Sequence, residues 1–264
     1  MHSLRLLFLR SLRGLYLLVL TTTASGASAA TDEASVKKTP VIELRVATAA
    51  NFYLTLKKLK QRYEKTSAHK ITIIRGSTGK LYAQIVRGAP YDIFLSADSQ
   101  RVEKLVRQAK ALNDQSWVYA TGQLALWRAD AHSSQQLREQ LVSGNFHKLA
   151  IANPKTAPYG RASIQALKSM ELYEQVKKKL VYGENISQTY QFVQSGAADL
   201  GLVARAYVNH DMYWEVQSWQ HQPVTQKMLI LRQTKQPEQA RSFVNFIQSA
   251  AGRKIIVQDG YQLD

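Results

Sequence analysis

The sequence predicts an α/β protein of two lobes, each with mostly parallel strands flanked by helices, and a ligand cleft between the lobes. Short apolar runs alternate with amphipathic segments over residues 42–107, a β-α-β-α-β-α rhythm that argues for a sheet covered on both faces. A second such set occupies 122–204, and a last strand and helix return at 226–249. A mature chain of about 235 residues suffices for one large domain or two small ones.

The chain begins with Arg5, Arg10 and Arg13, then six apolar residues at 15–20, then "TTTASGASAA". Basic region, apolar core and small-residue exit predict a secretory signal peptide over 1–29, cut after Ala29 or one residue later. The apolar run is too short for a membrane anchor, which needs about 20 residues. Without cysteine there is no disulfide and no lipid-modified cysteine. Export then predicts a periplasmic protein.

Residues 42–50 read as a strand, and 51–65 as a helix with Leu56, Leu59 and Tyr63 on one face. Strand 70–76 and helix 80–87 follow, the latter with Leu81, Ile85 and Val86 inward. Strand 91–98 leads to a helix carrying Val102, Leu105 and Val106. The second set comprises strands 122–129 and 147–154, a helix from about Arg161, and strand 198–204. Strand 226–233 and helix 238–249 come last. This places lobe I at 41–120 plus 225–264 and lobe II at 121–224, with crossovers near 119–123 and 223–227.

The formal charge is +16, or about +13 once the leader's arginines are gone, which concentrates anions at the surface. The basic runs "KKLK" (57–60) and "KKK" (177–179) are interrupted by apolar residues at helical spacing, so they read as solvated helix faces and not as a nucleic-acid groove.

Four segments between a strand and a helix carry the chemistry: "ATAANF" (47–52), "RGSTGK" (75–80), "NPKTAPYGRAS" (153–163) and "GENISQTYQFV" (183–193). Each presents a hydroxyl or amide side chain with unpaired N–H groups at a positive helix end, an arrangement suited to an anion. Asn51 is positioned to cap the first helix, Ser77 and Thr78 the second, and Asn185 or Ser187 the fourth, while Pro158 and Gly160 shape the third. Singly these are ordinary helix caps; together they predict a bound oxyanion.

Other chemistries fit poorly. The glycines Gly76 and Gly79 are wrongly spaced for a P-loop, and Leu81 stands where the metal-binding hydroxyl belongs. Ser77 and Lys80 match the S-x-x-K of acyl-serine enzymes, but no K-T-G or S-D-N completes it. No H-E-x-x-H, G-x-S-x-G or cysteine nucleophile occurs, and His69, His132, His147, His210 and His221 are scattered. Asp92 and Asp98 read as strand-end caps. A non-enzymatic monomer without a cofactor is expected.

The strings "GSTGKLYAQIVRGAPYDIFLSAD" (76–98), "AIANPKTAPYGRAS" (150–163), "GENISQTYQFVQSGAADLGLVA" (183–204) and "GRKIIVQDGY" (252–261) resemble the periplasmic molybdate-binding proteins of ABC importers. The resemblance covers about 41–264 and implies a type II periplasmic binding fold closing on a tetrahedral dianion, molybdate and usually tungstate, for delivery to an inner-membrane permease. It implies ligand contacts from Asn51, Ser77 and Thr78, and from the backbone N–H groups of Tyr159 and Ile186. Sulfate or phosphate remains the alternative ligand. Some members place a ligand-binding tyrosine after the strand equivalent to "LGLV", where this chain has Ala204.

Overall fold

The computed structural model describes residues 41–131, 133–208 and 212–263. The predicted leader, His132 and His210 lie outside them. The chain runs β1 (Glu43–Ala49), a 3-10 turn at Ala50–Phe52, α1 (Tyr53–Tyr63), β2 (Lys70–Gly76), α2 (Thr78–Val86), β3 (Ile93–Ser96) and α3 (Ser99–Arg107). It continues through β4 (Trp117–Gly122), β5 (Leu124–Trp127), α4 (Ser134–Ser143), β6 (Leu149–Ala152), α5 (Pro158–Ser169), α6 (Tyr173–Val176) and β7 (Leu180–Gly183). Then come α7 (Ile186–Gln194), β8 (Leu200–Ala204), β9 (Tyr213–Glu215), β10 (Val224–Ile230), α8 (Pro237–Gln248) and α9 (Ala250–Gln258).

Two five-stranded sheets result, ordered β2-β1-β3-β10-β4 and β7-β6-β8-β5-β9. Each is mixed. In the first, β2, β1 and β3 are parallel, and β10 joins β3 and β4 antiparallel. In the second, β7, β6 and β8 are parallel while β5 pairs antiparallel with β8 and β9. The parallel trio of the first sheet is the part that the β-α-β rhythm of the sequence announces; of the second sheet's trio it announces β6 and β8. The antiparallel pairs arise where the chain passes between sheets, through Gln123 after β4 and through 216–223 before β10.

Apolar runs become central strands for the expected reason. β3, β5, β6 and β8 are buried along their whole length. β4, β7 and β9 were not read as strands in the sequence; they are sheet edges with partly exposed residues, and their apolar runs, Trp117–Ala120 in β4 and Leu180–Tyr182 in β7, are short. Helices pack on both faces. Leu56, Leu59, Phe243 and Val244 fill one side of the first sheet, and Leu81, Ile85, Val102 and Leu105 the other. In the second, Leu137, Leu141, Ala166 and Leu167 pack one side and Val193 the other. Ala49, Ala50 and Ala97, from the first sheet's strand ends, belong to the core cluster of the second lobe.

Helix bounds shift slightly from the sequence pattern. α2 starts at Thr78 and α5 at Pro158, earlier than predicted, because polar and proline residues in a first turn carry no apolar signal. α9 continues beyond α8 after a fresh cap, the Ser249 hydroxyl accepting from Gly252 N at 3.3 Å.

Candidate functional site

All five predicted site residues border one small cavity where the two lobes meet, lined by Ala49, Asn51, Ser77, Thr78, Ala97 and Tyr159 among others, with Ile186 and Asn185 opposite. Its empty volume is about 200 Å³. No lining residue is charged. Larger hollows lie beside α4 and near Pro223; the first is lined by the charged Arg128, Asp130 and Glu139, the second by Asp98 and Arg161.

The local structure decides which donors remain for a ligand. At α7, Asn185 is the cap: its Oδ1 accepts from Ser187 N at 3.0 Å and Gln188 N at 3.2 Å, leaving the N–H of Ile186. At α5, Pro158 has no N–H, and the amides of Gly160 and Arg161 both turn back to Ala157 O. That leaves Tyr159 N–H at the tip. Gly160 lets this end sit against β6, since a Cβ there would lie 2.1 Å from Ala152 O.

At α2, Ser77 occupies the cap position but makes no capping bond. Its Oγ is buried with no partner at all. Thr78 Oγ1 accepts from Ala97 N at 3.2 Å, so its own hydrogen is still available. Asn51 was expected to cap the helix that follows it. It does not: the 3-10 turn and α1 have no side-chain cap, and Asn51 Nδ2 instead donates to Gln226 Oε1 at 2.9 Å and Tyr261 Oη at 3.2 Å. Long-range partners outcompete the local cap because the residue is buried, where an unpaired amide is costly.

The rim is closed by contacts between lobes. Gly79 N donates to Thr156 O at 2.9 Å, and Arg75 Nη1 to Ser187 Oγ at 3.2 Å. Arg161 Nη2 reaches Asp98 Oδ2 at 2.7 Å, where Arg101 also binds. Lys80 pairs with Glu184 at 2.8 Å. This pairs the lysine with the other lobe. Tyr207, which sequence reasoning passed over, donates to Ala50 O at 2.8 Å. The "RAY" after β8 was its signal: a tyrosine does follow Ala204, three residues on.

Behind the cavity lie Tyr119, Tyr159 and Tyr261. Burial, first of all, raises the phenol of each above its usual range, so all three stay neutral. Lysines of the basic runs have partners within the protein. Lys58 binds Asp259 at 2.5 Å, and Lys179 donates to the carbonyls of Gly144 and Phe146. Among the described residues no cluster of metal-ligating side chains occurs, and no helix is long and apolar enough to cross a membrane. Asn185→Ala should cost about 1 kcal/mol of stability through the lost cap. Urea unfolding reads it, and an unchanged midpoint would show that the cap contributes nothing.

The chain matches the family profile of the bacterial extracellular solute-binding proteins over residues 44–262. It is 37% identical to the molybdate-binding protein ModA of Azotobacter vinelandii over 227 residues, 84% of this chain and 90% of the relative. It is 33% identical to ModA of Rhodobacter capsulatus over 83% of this chain and 88% of that protein. The solved structure of the Azotobacter vinelandii periplasmic molybdate-binding protein superposes with a TM-score of 0.81 at 34% identity, covering 84% of this chain and 99% of that one. The sulfate-binding protein SubI of Mycobacterium tuberculosis shares the fold, with a TM-score of 0.65 at 11% identity over 83% of this chain and 86% of that one. The chain therefore belongs to the bacterial extracellular solute-binding protein family, on the branch that holds the periplasmic molybdate-binding proteins.

Proposed function

We propose that this chain is the periplasmic binding component of an ABC importer, taking up molybdate, and tungstate with it, and handing the ion to an inner-membrane permease. The observation that carries the reading is the Ser77 hydroxyl, buried at the cavity with no partner. Its bond is missing within the protein, and an oxyanion would supply it. Around it stand the Thr78 hydroxyl and the N–H groups of Tyr159 and Ile186, all neutral donors at helix N-termini. A dianion bound there is stabilised by dipoles and hydrogen bonds, each worth about 1.5–3 kcal/mol, with no countercharge to hinder release. The relatives' names give the ion: both ModA proteins are molybdate-binding.

Selection follows from the same donors. A fixed cage sized for molybdate leaves the bonds to a smaller sulfate long. Hydrogen phosphate brings a proton that would face a donor and find no acceptor. Capture and release need the rim contacts to break, with the lobes hinging at the crossovers on either side of Gly122 and Val224.

Thermal unfolding of the ion-stripped protein with molybdate, tungstate, sulfate or phosphate tests the reading. At about 1,000 times Kd a ligand adds roughly 4 kcal/mol, or about 8–16 °C for a chain of this size. A shift of that order with molybdate and tungstate alone is expected. A shift with sulfate or phosphate instead overturns the ligand, and none with any ion overturns the function.

A further inference from the structure

The cavity has no charged side chain in its lining, yet a dianion has to find it. Among the described residues, the contacts that close its rim bring in Arg75, Lys80, Arg101 and Arg161. Lys80 is neutralised by Glu184, and Arg101 and Arg161 by Asp98. Arg75 meets no carboxylate there. Its Nη1 donates instead to a neutral acceptor on the opposite lobe, Ser187 Oγ, at 3.2 Å.

Arg75 stands near the end of β2, two residues before Ser77, so the strand that delivers the hydroxyl turn to the cavity also delivers this exposed guanidinium to the mouth. Its Cζ lies 4.6 Å from the centroid of the Tyr53 ring, in the first turn of α1. An aromatic face holds a guanidinium through its quadrupole and leaves the N–H fork free to bind. Arg75 and Tyr53 belong to the same lobe, so their stack does not need the lobes to be closed. The bond to Ser187 does need it. Ser187 lies in α7, one residue beyond Ile186, which borders the cavity, and its own N–H is already taken by Asn185 Oδ1. When the lobes part, the guanidinium loses its acceptor and faces the open cleft uncompensated.

We propose that Arg75 is the capture residue for the oxyanion: in the open protein its guanidinium takes the incoming dianion at the mouth, and on closure it passes to Ser187 as the ion moves to the neutral donors within. The planar fork suits this exchange, since it can hold two oxygens of the ion and later one hydroxyl. Attraction over a distance needs a charge, whereas release is easier from a site without one. A cation beside the path, and none in the cage, meets both demands. The net charge draws anions to the whole surface, and Arg75 directs them to this mouth. The inference rests on the oxyanion-binding reading above and adds to it the residue that sets the association rate.

The test measures molybdate association with the ion-stripped protein by stopped-flow tryptophan emission, and affinity by calorimetry. Both are read at about 0.01 M and about 1 M salt, where charges act over about 30 Å and about 3 Å. Arg75→Gln, which keeps a donor for Ser187, should slow association and weaken affinity about tenfold at low salt, and should match the wild type at high salt. Arg75→Lys, which keeps the charge, should retain most of the wild-type rate. Lys57→Gln is the control: Lys57 Nζ lies 5.9 Å from the same Tyr53 ring, but on the helix and not on the strand that leads to Ser77. It should slow association by less than about twofold. If Arg75→Gln matches the wild type at low salt, if Arg75→Lys is as impaired as Arg75→Gln, or if Lys57→Gln is impaired as much, the capture role is overturned and the binding function stands. If the wild type binds no oxyanion, the function itself falls first.

Discussion

Ser77→Ala is expected to weaken molybdate binding by about 10–150-fold while leaving the ion-free protein as stable as the wild type or more so. The two effects have one cause. The Ser77 hydroxyl is buried and unpaired when no ion is bound, and such a group costs about 1–3 kcal/mol of stability. Removing it relieves that cost in the free protein. It also removes a hydrogen bond to a dianion worth about 1.5–3 kcal/mol, which sets the loss in affinity. Calorimetric titration and thermal unfolding of the same variant separate them. A hydroxyl of purely structural use would behave the other way, with stability falling and affinity kept. Thr78→Ala should be less clean, because Thr78 Oγ1 also holds Ala97 N and its loss disturbs the loop.

Gly79→Val is expected to lose at least about 100-fold in affinity without touching any ligand group. Gly79 lies in the first turn of α2 where the lobes meet, and its N–H donates to Thr156 O. A Cβ there would lie 3.0 Å from Thr156 O and 3.1 Å from Thr156 Cα, both backbone atoms, and a valine adds two methyls beyond it. The lobes could then not approach as they do here. An open form has no such conflict, so the variant should fold normally. Affinity falls because the competent closed state becomes rare, and apparent Kd rises by the inverse of its population. Small-angle scattering should show that molybdate compacts the wild type and not the variant. Compaction of both, with equal affinity, would sink the argument.

Both variants come from the turn at 76–79, Gly-Ser-Thr-Gly, whose glycines and hydroxyls stand out in the sequence. Of the remaining helix starts, α7 was legible for the same reason, with Asn185 as a local cap, whereas α5 begins before its apolar pattern and Asn51 does not cap α1. Central strands were legible as unbroken apolar runs. The edge strands β4, β7 and β9 were not, being short or partly exposed, although the longer edge strand β2 was. Tyr207 was missed because its partner, Ala50 O, is 157 residues away.

The sequence by itself therefore determined the α/β rhythm, the anion-favouring helix ends and the family resemblance, because each is written in residues within a few positions of one another. Only the tertiary structure decided which of those ends still have a hydrogen to give. Asn185 spends its cap on Ser187 and Gln188, Ser77 spends its hydroxyl on nothing, and Asn51 turns from its own helix to Gln226 and Tyr261, 175 and 210 residues distant. A buried polar atom takes whatever partner the packed interior brings within 3 Å or so, and no local pattern encodes that choice.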